Sequence, residues 1–388
     1  MYNIKTLNKI SEIGLSQFDE KYTYGDDIEN PDAVLVRSAS MHDMDFPASL
    51  KAIARAGAGT NNIPCDKCAE QGIVVFNTPG ANANAVKELV LAGLLLSSRK
   101  IVPAIEWAKT LKGEGDQVGK LVEKGKSAFA GPEIMGKKLG VIGLGAIGVL
   151  VANAAEKLGM EVYGYDPFLS VKGAWNLSRN IKPAKTLDVI FENCDYITIH
   201  VPLNDETKHT VNEESIAKMK DGVRILNFAR GALVDSKAII KALGDGKVAS
   251  YVVDFPDDDV IGVEGVIAIP HLGASTPESE ENCAYMAANE IINYLENGSI
   301  INSVNMPNVS LGNVEGTRVC VIHKNVKNMI AQISSCFSNA DINIEHLTNK
   351  SKGDYAYTVV DLVDSDADDA VIEAVKNIDA VISVRVIK

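Results

Sequence analysis

A glycine-rich turn at residues 143–148 has the spacing of a dinucleotide-binding loop. It follows the apolar run KKLGVI and opens the apolar stretch AIGVLVANAAEKL. Glycines in such a strand–turn–helix allow a tight turn and a close approach of the backbone to a diphosphate, which the helix N-terminus stabilises. Asp166 ends the next β-rich run, EVYGYD, where an acidic side chain can accept hydrogen bonds from ribose hydroxyls and repel a 2′-phosphate. The pattern predicts NAD as cofactor, bound by Gly143, Gly145, Ala146, Ile147, Gly148 and Asp166.

Two alternatives stay open for this motif. The glycines could form a turn in some other α/β protein, and Asp166 could be an ordinary loop residue.

The turn at 143–148 lies within a series of alternating β-rich and helical segments, which must position it. Short β-rich runs alternate with helical stretches along the first 300 residues, which predicts doubly wound parallel sheets of an α/β protein. A Gly- and Lys-rich stretch at 113–136 separates two such series. Residues 318–388 follow the order βαββαβ, which is typical of a ferredoxin-like unit. The predicted strands are 33–37, 50–56, 72–76, 139–142, 161–165, 196–200, 224–227, 251–253, 266–268, 319–323, 342–348, 355–361 and 380–387.

The composition of the 388 residues limits the partners of the protein. Thirty-eight Lys and Arg against 51 Asp and Glu give a formal net charge of −13, which disfavours nucleic acid and anionic membranes as partners. The longest apolar run, 89–96, is far shorter than the roughly 20 residues that span a bilayer. The absence of a signal-peptide pattern and the sparse cysteines favour the cytoplasm. Cys65 and Cys68 form a CxxC without further metal ligands nearby in the sequence. We therefore predict that the two cysteines pack in the interior and do not bind a metal.

Seven segments together resemble the D-isomer-specific 2-hydroxyacid dehydrogenases. They are VRS at 36–38, RAGAGTNNI at 55–63, NTPGANANAV at 77–86, LGVIGLGAIG at 139–148, HVPL at 200–203, LNFARGALVD at 226–235 and IPHLGAST at 269–276. The resemblance implies two Rossmann-like parallel-sheet domains, and the C-terminal βαββαβ block resembles an ACT domain. The implied domains are a discontinuous substrate-binding domain at 1–98 and 278–305, an NAD-binding domain at 99–277, a linker at 306–315 and the ACT-like domain at 316–388.

The ACT-like block favours, within the family, the members that oxidise 3-phospho-D-glycerate to 3-phosphohydroxypyruvate with NAD, the first step of serine biosynthesis. A reductase of glyoxylate or hydroxypyruvate is the alternative enzyme. An NAD-sensing, co-repressor-like binding protein is the alternative of another class. By resemblance the protein is a homodimer or a larger homo-oligomer.

The resemblance also implies the catalytic residues. His271 is expected to exchange the substrate hydroxyl proton, since imidazole titrates near neutral pH. Arg230 is expected to hold the carboxylate and polarise the carbonyl. The family's glutamate, which orients the histidine, falls on Asp258, whose side chain is one methylene shorter. Lys87 stands where the family commonly has a small residue, and we hypothesise that it supplements the His271–Asp258 pair as an active-site cation or proton carrier.

Each of these residues also has a purely structural interpretation. His271 could be a hydrogen-bonded loop histidine, and Arg230 a surface arginine. Asp258 could belong to a solvated acidic loop, and Lys87 to a solvated helix face.

The remaining implied sites bind substrate, cofactor and effector. The substrate anion would be bound by Arg37, Ser38, Arg55, Gly57, Ala58, Gly59 and Asn84, although the two arginines could be plain strand-end residues. The NAD site would also include Pro202, Thr207, Ala229, Asp254 and Gly273. An effector site would use His323, Asn325 and Asn343, but the Pro-Gly turn of regulatory ACT domains is missing, so an assembly module without effector is the alternative.

Overall fold

A computed structural model describes residues 1–362 and 367–388 of the chain. Its contacts group the described residues into two compact units, residues 1–82 with 277–388 and residues 83–276. The second unit thus interrupts the first along the sequence. Among the described residues, no helix combines the length and the apolar character needed to cross a membrane.

The first unit begins with a five-stranded parallel sheet in the spatial order β2-β1-β3-β4-β5. Its strands β3, β4 and β5 are almost entirely buried and apolar, as expected for a parallel sheet that is covered on both faces. Strand β1 and the edge strand β2 are partly exposed, and the sequence analysis did not predict either of them. The elements are β1 (Tyr2–Leu7), α1 (Glu12–Leu15), β2 (Tyr22–Gly25), β3 (Ala33–Val36), β4 (Ala52–Arg55), α2 (Cys65–Glu70) and β5 (Val74–Asn77).

The second unit contains a seven-stranded parallel sheet in the order β12-β11-β10-β9-β6-β7-β8. The strand order reverses beside β6, and such a switch point opens a crevice at the carboxyl ends of the strands. The elements are α3 (Ala83–Arg99), α4 (Ile101–Lys109), α5 (Val118–Gly125), β6 (Lys138–Ile142), α6 (Ala146–Lys157), β7 (Glu161–Tyr165), α7 (Val171–Asn176), β8 (Lys182–Pro183), α8 (Leu187–Asn193), β9 (Tyr196–Ile199), α9 (Glu213–Lys218), β10 (Val223–Asn227), α10 (Ser236–Gly244), β11 (Val248–Val253) and β12 (Val266–Ala268).

Helix α3 lies in the second unit, which moves the boundary between the units from the expected 98/99 to 82/83. Val86, Val90 and Leu94 form an apolar stripe at helical spacing and are buried in one core cluster with residues of β6, β10 and β11. The helix therefore packs on the seven-stranded sheet, although in the sequence it comes directly after β5 of the five-stranded sheet.

The chain returns to the first unit through the long helix α11 (Pro277–Asn297), whose apolar face packs in the core of that unit. A four-stranded antiparallel sheet in the order β14-β15-β13-β16 follows, with the predicted βαββαβ sequence of elements. The predicted strand at 342–348 starts four residues later than expected, because Ile342 and Ile344 pack against the block's core from the preceding loop. The elements are β13 (Thr317–Lys324), α12 (Met329–Asn339), β14 (His346–Lys352), β15 (Tyr355–Leu362), α13 (Asp369–Lys376) and β16 (Val381–Ile387).

The expected linker at 306–315 is partly a packed segment. Met306 and Val309 are buried in the core of the first unit, and Val309 pairs with Ile300 through two backbone hydrogen bonds of 2.8 and 2.9 Å. Cys320 and Tyr357 of the C-terminal block belong to the same core cluster. The C-terminal block is therefore part of the first unit, and the apolar residues of the segment pack in the core that they share.

Arg318 joins the C-terminal block to the end of α11, which predicts a large effect of its removal. Its guanidinium donates to both carboxylate oxygens of Asp361 (2.6 and 2.9 Å) and to the carbonyl oxygens of Asn297 and Gly312. Arg318→Ala removes a buried guanidinium and leaves a half-buried carboxylate and two carbonyls without their donor, so we expect a loss of about 2–4 kcal/mol in the free energy of unfolding, measured by urea denaturation. Lys376→Ala, which removes an exposed ion pair with Glu373, should cost less than about 1 kcal/mol. Equal effects of the two variants would contradict this role.

Candidate active site

The turn between β6 and α6 presents one glycine to open space. Gly143 has a φ of +91°, and a Cβ atom there would lie 2.7 Å from the carbonyl oxygen of His200. A Cβ atom on Gly148 would lie 1.9 Å from the carbonyl oxygen of Gly143, so both positions require glycine for packing. A Cβ atom on Gly145 would meet no atom within 4 Å. Gly145 is therefore the position at which a diphosphate can approach the backbone.

The start of α6 supplies hydrogen-bond donors to that space. Gly145 is the N-cap residue and carries no side chain that could satisfy the first N–H groups of the helix, and Ala146 is exposed. Unsatisfied N–H groups and the helix dipole favour an anion there. The carboxylate of Asp166 is held by the backbone N–H groups of Leu144 and Phe168, each at 2.8 Å. Because each carboxylate oxygen can accept a second hydrogen bond, Asp166 can still bind ribose hydroxyls, so these residues fit NAD.

The loop after β9 is closed by Thr207. Its hydroxyl donates to the carbonyl oxygen of Pro202 (2.6 Å) and accepts from the N–H group of Asn204 (2.9 Å). Burial lowers the pKa of His200 to about 4, so its ring is neutral, and Nε2 lies 2.9 Å from the hydroxyl of Thr198. The expected residues Pro202 and Thr207 thus belong to one ordered loop beside the nucleotide turn.

The turn that carries Arg230 is held by a buried asparagine. Asn227 donates its side-chain N–H to the carbonyl oxygen of Arg230 (2.8 Å) and accepts from the N–H group of Ala229 (3.2 Å). The exposed guanidinium of Arg230 lies 5.1 Å from the ring centre of Phe255. A cation can be held over an aromatic face at this distance.

His271 contacts the same aromatic ring. The ring centres of His271 and Phe255 are 4.2 Å apart, so Phe255 touches both predicted catalytic side chains. His271 has a φ of +52°, an uncommon value that a non-glycine residue keeps only where its surroundings hold it. Phe255 and Asn227 were not identified from the sequence, because their roles arise from contacts and not from motif spacing.

The carboxylate that organises the His271 loop is Asp254. Asp254 is buried and accepts hydrogen bonds from the N–H groups of Leu272 (2.8 Å) and Gly273 (2.9 Å). Burial raises its pKa, while the two hydrogen bonds and the charge of His271 lower it. Asp254 therefore acts on both the backbone and the electrostatics of the loop that carries His271.

The expected pair of His271 with Asp258 is absent from the described parts of the chain. Asp258 is exposed, and no carboxylate within 1–362 and 367–388 forms an ion pair with His271. The shorter aspartate lies in an exposed acidic run instead. A contribution of Asp258 to catalysis stays a prediction.

Lys87 is bound by its helical neighbours. Its ammonium group donates to the side-chain oxygen of Asn84 (2.5 Å) and lies 3.8 Å from a carboxylate oxygen of Glu88. Asn84 in turn donates to Glu88 (2.9 Å). The three side chains form one polar cluster on the first turns of α3, and the catalytic role of Lys87 stays a prediction.

The first unit places two arginines at adjacent strand ends. Arg37 follows β3 and Arg55 ends β4, and the Nε of Arg55 donates to the carbonyl oxygen of Arg37 (3.0 Å). Arg37 also forms a 2.5 Å ion pair with Glu280 at the start of α11. The guanidinium of Arg37, which was expected to bind the substrate, is thus already paired with the carboxylate of Glu280.

The loop from Gly57 to Gly59 offers backbone donors beside these arginines. The N–H group of Gly57 is bonded to the carbonyl oxygen of Arg55 (2.8 Å). Within the described residues, the N–H groups of Ala58 and Gly59 have no bonded acceptor. The N–H group of Ser38 donates to the side chain of Asn8 (2.9 Å). The hydroxyl of Ser38 is therefore the group that could bind a substrate.

The expected effector residues do not form one exposed site. His323 is buried, and its ring nitrogens lie 2.8 Å from the carbonyl oxygen of Lys324 and 2.8 Å from the hydroxyl of Thr358. Asn325 and Asn343 are exposed, and Asn325 donates to the carbonyl oxygen of Gly353. The ring of His323 thus forms hydrogen bonds within the sheet. The effector role of the three residues stays a prediction.

Comparison with known proteins agrees with this arrangement. Residues 91–273 match the family model described as "D-isomer specific 2-hydroxyacid dehydrogenase, NAD binding domain". A D-3-phosphoglycerate dehydrogenase of Haemophilus influenzae is 36% identical over 85% of this chain and 79% of its own length. The chain belongs to the D-isomer-specific 2-hydroxyacid dehydrogenase family. As a member of this family it is an NAD-dependent oxidoreductase.

Other relatives within the family differ in substrate and length. A hydroxypyruvate reductase of Thermotoga maritima is 40% identical over 65% of this chain and 81% of its own length. The NAD⁺-bound crystal structure of a 3-phosphoglycerate dehydrogenase of Entamoeba histolytica superposes with a TM-score of 0.59 at 27% identity, covering 78% of this chain and 98% of that one. The chain spans 53% of the length of a D-3-phosphoglycerate dehydrogenase of Bacillus subtilis, at 35% identity.

The open space at Gly145 predicts a selective loss of NAD binding in Gly145→Val. Its backbone conformation (φ −72°, ψ −162°) suits any L-residue, so the fold should persist while the side chain fills the space for the diphosphate. We expect NADH affinity, followed by fluorescence titration, to fall at least about tenfold with little change in thermal stability. Gly148→Val, which forces a clash with Gly143, should instead destabilise the fold. Wild-type NADH affinity in Gly145→Val would contradict the assignment.

The shared ring predicts that Phe255 positions both predicted catalytic side chains, Arg230 and His271. Phe255→Leu removes the aromatic face from Arg230 and His271, so we expect kcat to fall about tenfold and the NADH dissociation constant to stay within about twofold. Phe255→Tyr keeps the ring and should retain most of the activity. A parallel loss in both variants would show that the effect is not that of the aromatic face.

Proposed function

We propose that the protein oxidises 3-phospho-D-glycerate to 3-phosphohydroxypyruvate with NAD, the reaction that begins serine biosynthesis. The observation that carries the substrate assignment is the pair of arginines, Arg37 and Arg55, at adjacent strand ends. The substrate carries about three negative charges near neutral pH, from one phosphate and one carboxylate. Guanidinium groups bind both kinds of anion through two-pronged hydrogen bonds. The names of the relatives from Haemophilus influenzae and Bacillus subtilis support the same substrate.

His271 is assigned the proton transfer of the reaction. In the oxidation direction its imidazole takes the proton of the substrate's secondary hydroxyl, and in the reduction direction it returns that proton to the carbonyl oxygen. Bound NAD supplies the acceptor for the hydride. The buried carboxylate of Asp254 keeps the loop in place through its two backbone hydrogen bonds.

Arg230 is assigned the binding of the reacting end of the substrate. Its guanidinium can hold the carboxylate and stabilise negative charge on the carbonyl oxygen. Phe255 restricts its orientation from one face, and Asn227 holds the backbone of its turn. These contacts restrict the orientations that the Arg230 side chain can adopt before the substrate binds, which lowers the entropy cost of binding.

A second candidate function is reduction of glyoxylate or hydroxypyruvate. It is supported by the 40% identical hydroxypyruvate reductase and by the ion pair of Arg37 with Glu280, which reduces the positive charge available for a phosphate. The two candidates differ in one group, since hydroxypyruvate lacks the phosphate. Kinetic comparison of substrates with and without it separates them.

The decisive measurement is NADH oxidation with 3-phosphohydroxypyruvate, hydroxypyruvate, glyoxylate and pyruvate. We expect kcat/KM for the phosphorylated substrate to exceed the others by at least about 100-fold, as the loss of charge-assisted hydrogen bonds predicts. A preference for hydroxypyruvate would identify the second candidate. No turnover of any of the four would favour an NAD-sensing binding protein.

Glu280 offers a sharper test of phosphate binding by Arg37. Glu280→Gln removes the carboxylate that pairs with Arg37 and repels the substrate, so KM for 3-phosphohydroxypyruvate should fall about three- to tenfold. KM for glyoxylate should change less than about twofold. Glu278→Gln on the same helix removes an exposed carboxylate and serves as the matched control. An unchanged KM for the phosphorylated substrate would remove Arg37 from the phosphate site.

A further inference from the structure

The loop after β4 is held on one side by the residues at the end of β5. The side-chain N–H of Asn77 donates to the carbonyl oxygen of Ala58 (2.5 Å), and the backbone N–H of Thr78 donates to the carbonyl oxygen of Gly57 (3.2 Å). Strands β4 and β5 are neighbours in the five-stranded sheet, with Arg55 paired to Asn77, so the end of β5 lies beside the loop. Two consecutive carbonyl groups of the loop therefore point toward the end of β5.

The peptide groups of this loop thereby have a fixed direction. In a trans peptide the N–H and the C=O of one planar unit point in opposite directions, and the described chain contains no cis peptide bond. The unit that Thr78 holds contains the N–H of Ala58, and the unit that Asn77 holds contains the N–H of Gly59. Both N–H groups therefore point away from the end of β5, and neither has an acceptor in the part of the chain that the structure describes.

These two N–H groups are accessible and lie beside a guanidinium group. Ala58 is exposed and Gly59 is half-buried. A Cβ atom on Gly57 would lie 2.8 Å from Nη1 of Arg55, so the guanidinium of Arg55 packs against the loop. Successive backbone N–H groups that share a direction form a concavity for an anion. A carboxylate has two oxygens that match the two N–H groups and a charge that suits the neighbouring cation.

We propose that Asn77 is a positioning residue for substrate binding, which aims the N–H of Gly59 at the carboxylate of the substrate by holding the carbonyl of Ala58. Asn77 acts through the peptide unit between these two residues and not by contact with the substrate. The inference rests on the proposed function in one respect, that the loop binds a 2-keto or 2-hydroxy acid. It therefore applies equally to the phosphorylated substrate and to glyoxylate, which share the carboxylate.

The bond from Asn77 is the one that a substitution can remove. Thr78 holds Gly57 through its backbone N–H, which every residue except proline retains. Asn77→Leu keeps the approximate size of the side chain but has no donor and adds no charge. The peptide unit then loses the bond that opposes its rotation, and the conformational freedom of Gly59 makes that rotation easy. The N–H of Gly59 is thus no longer held toward the substrate.

Steady-state reduction of glyoxylate and of 3-phosphohydroxypyruvate with NADH tests this role. The carboxylate contact is made in the ground state and in the transition state alike, so we expect KM of Asn77→Leu to rise about five- to tenfold for both substrates, with kcat within about twofold. The dissociation constant of NADH should stay within about twofold. Asn293→Leu removes the same kind of bond, from an asparagine amide to a backbone carbonyl (2.8 Å), at an exposed position of α11 and should leave KM unchanged.

A second measurement follows the N–H of Gly59 itself and needs no turnover. Oxamate, an unreactive carboxylate with the shape of a 2-keto acid, is titrated into the NADH complex of the full chain that carries isotope-labelled glycine. The NMR peak of Gly59 is assigned by its loss in Gly59→Ala. We expect this amide proton to move downfield in the wild-type protein, because it donates to the carboxylate, and to move much less in Asn77→Leu.

The outcomes separate this inference from the choice of substrate. Thermal unfolding verifies that each variant is folded. An unchanged KM for glyoxylate in folded Asn77→Leu, or a Gly59 peak that oxamate does not move in the wild-type protein, would overturn the role of Asn77. A rise in KM for the phosphorylated substrate alone would assign the loop to the phosphate and overturn it as well. A rise in both KM values in an enzyme that prefers glyoxylate would support the role of Asn77 and reject the phosphorylated substrate.

Discussion

Parallel strands end at one edge of their sheet, and the chemistry of this protein depends on that constraint. In the second unit the glycine turn follows β6, Asp166 follows β7, Arg230 follows β10 and His271 follows β12. The backbone ladder sets the relative heights of these strand ends, for example by pairing Ile142 with Tyr165 and Asn227 with Val253. Hydrogen bonds of the sheet therefore assemble side chains that are more than 100 residues apart along the chain.

At that edge of the sheet, the buried carboxylate of Asp254 holds the loop that carries His271. Asp254 is taken out of water, which is unfavourable for a charge, and two backbone N–H groups offset this cost. Its neighbour Phe255 contacts both Arg230 and His271. Of two consecutive residues after β11, Asp254 thus holds the loop of His271 and Phe255 contacts both predicted catalytic side chains, whereas the expected partner Asp258 is exposed.

Charge is used locally in a protein that is acidic as a whole. With a net charge of −13, the average field opposes an anionic substrate. Under the proposed function Arg37 and Arg55 counter this field at adjacent strand ends, although Glu280 already pairs with Arg37. Under the proposed function an entering phosphate competes with that carboxylate, so the ion pair would tune substrate affinity without touching the substrate.

The sequence by itself determined the family, the cofactor and the order of elements, because these depend on contiguous residues. The turn at 143–148, Asp166 and the buried strands can be recognised from local spacing and apolar runs. Strands β1 and β2 were not predicted, since their partly exposed polar residues leave little apolar periodicity. Only the tertiary structure placed α3 in the second unit and put Phe255 against both predicted catalytic side chains. Those facts depend on contacts between residues far apart in sequence, which packing decides and local pattern does not encode.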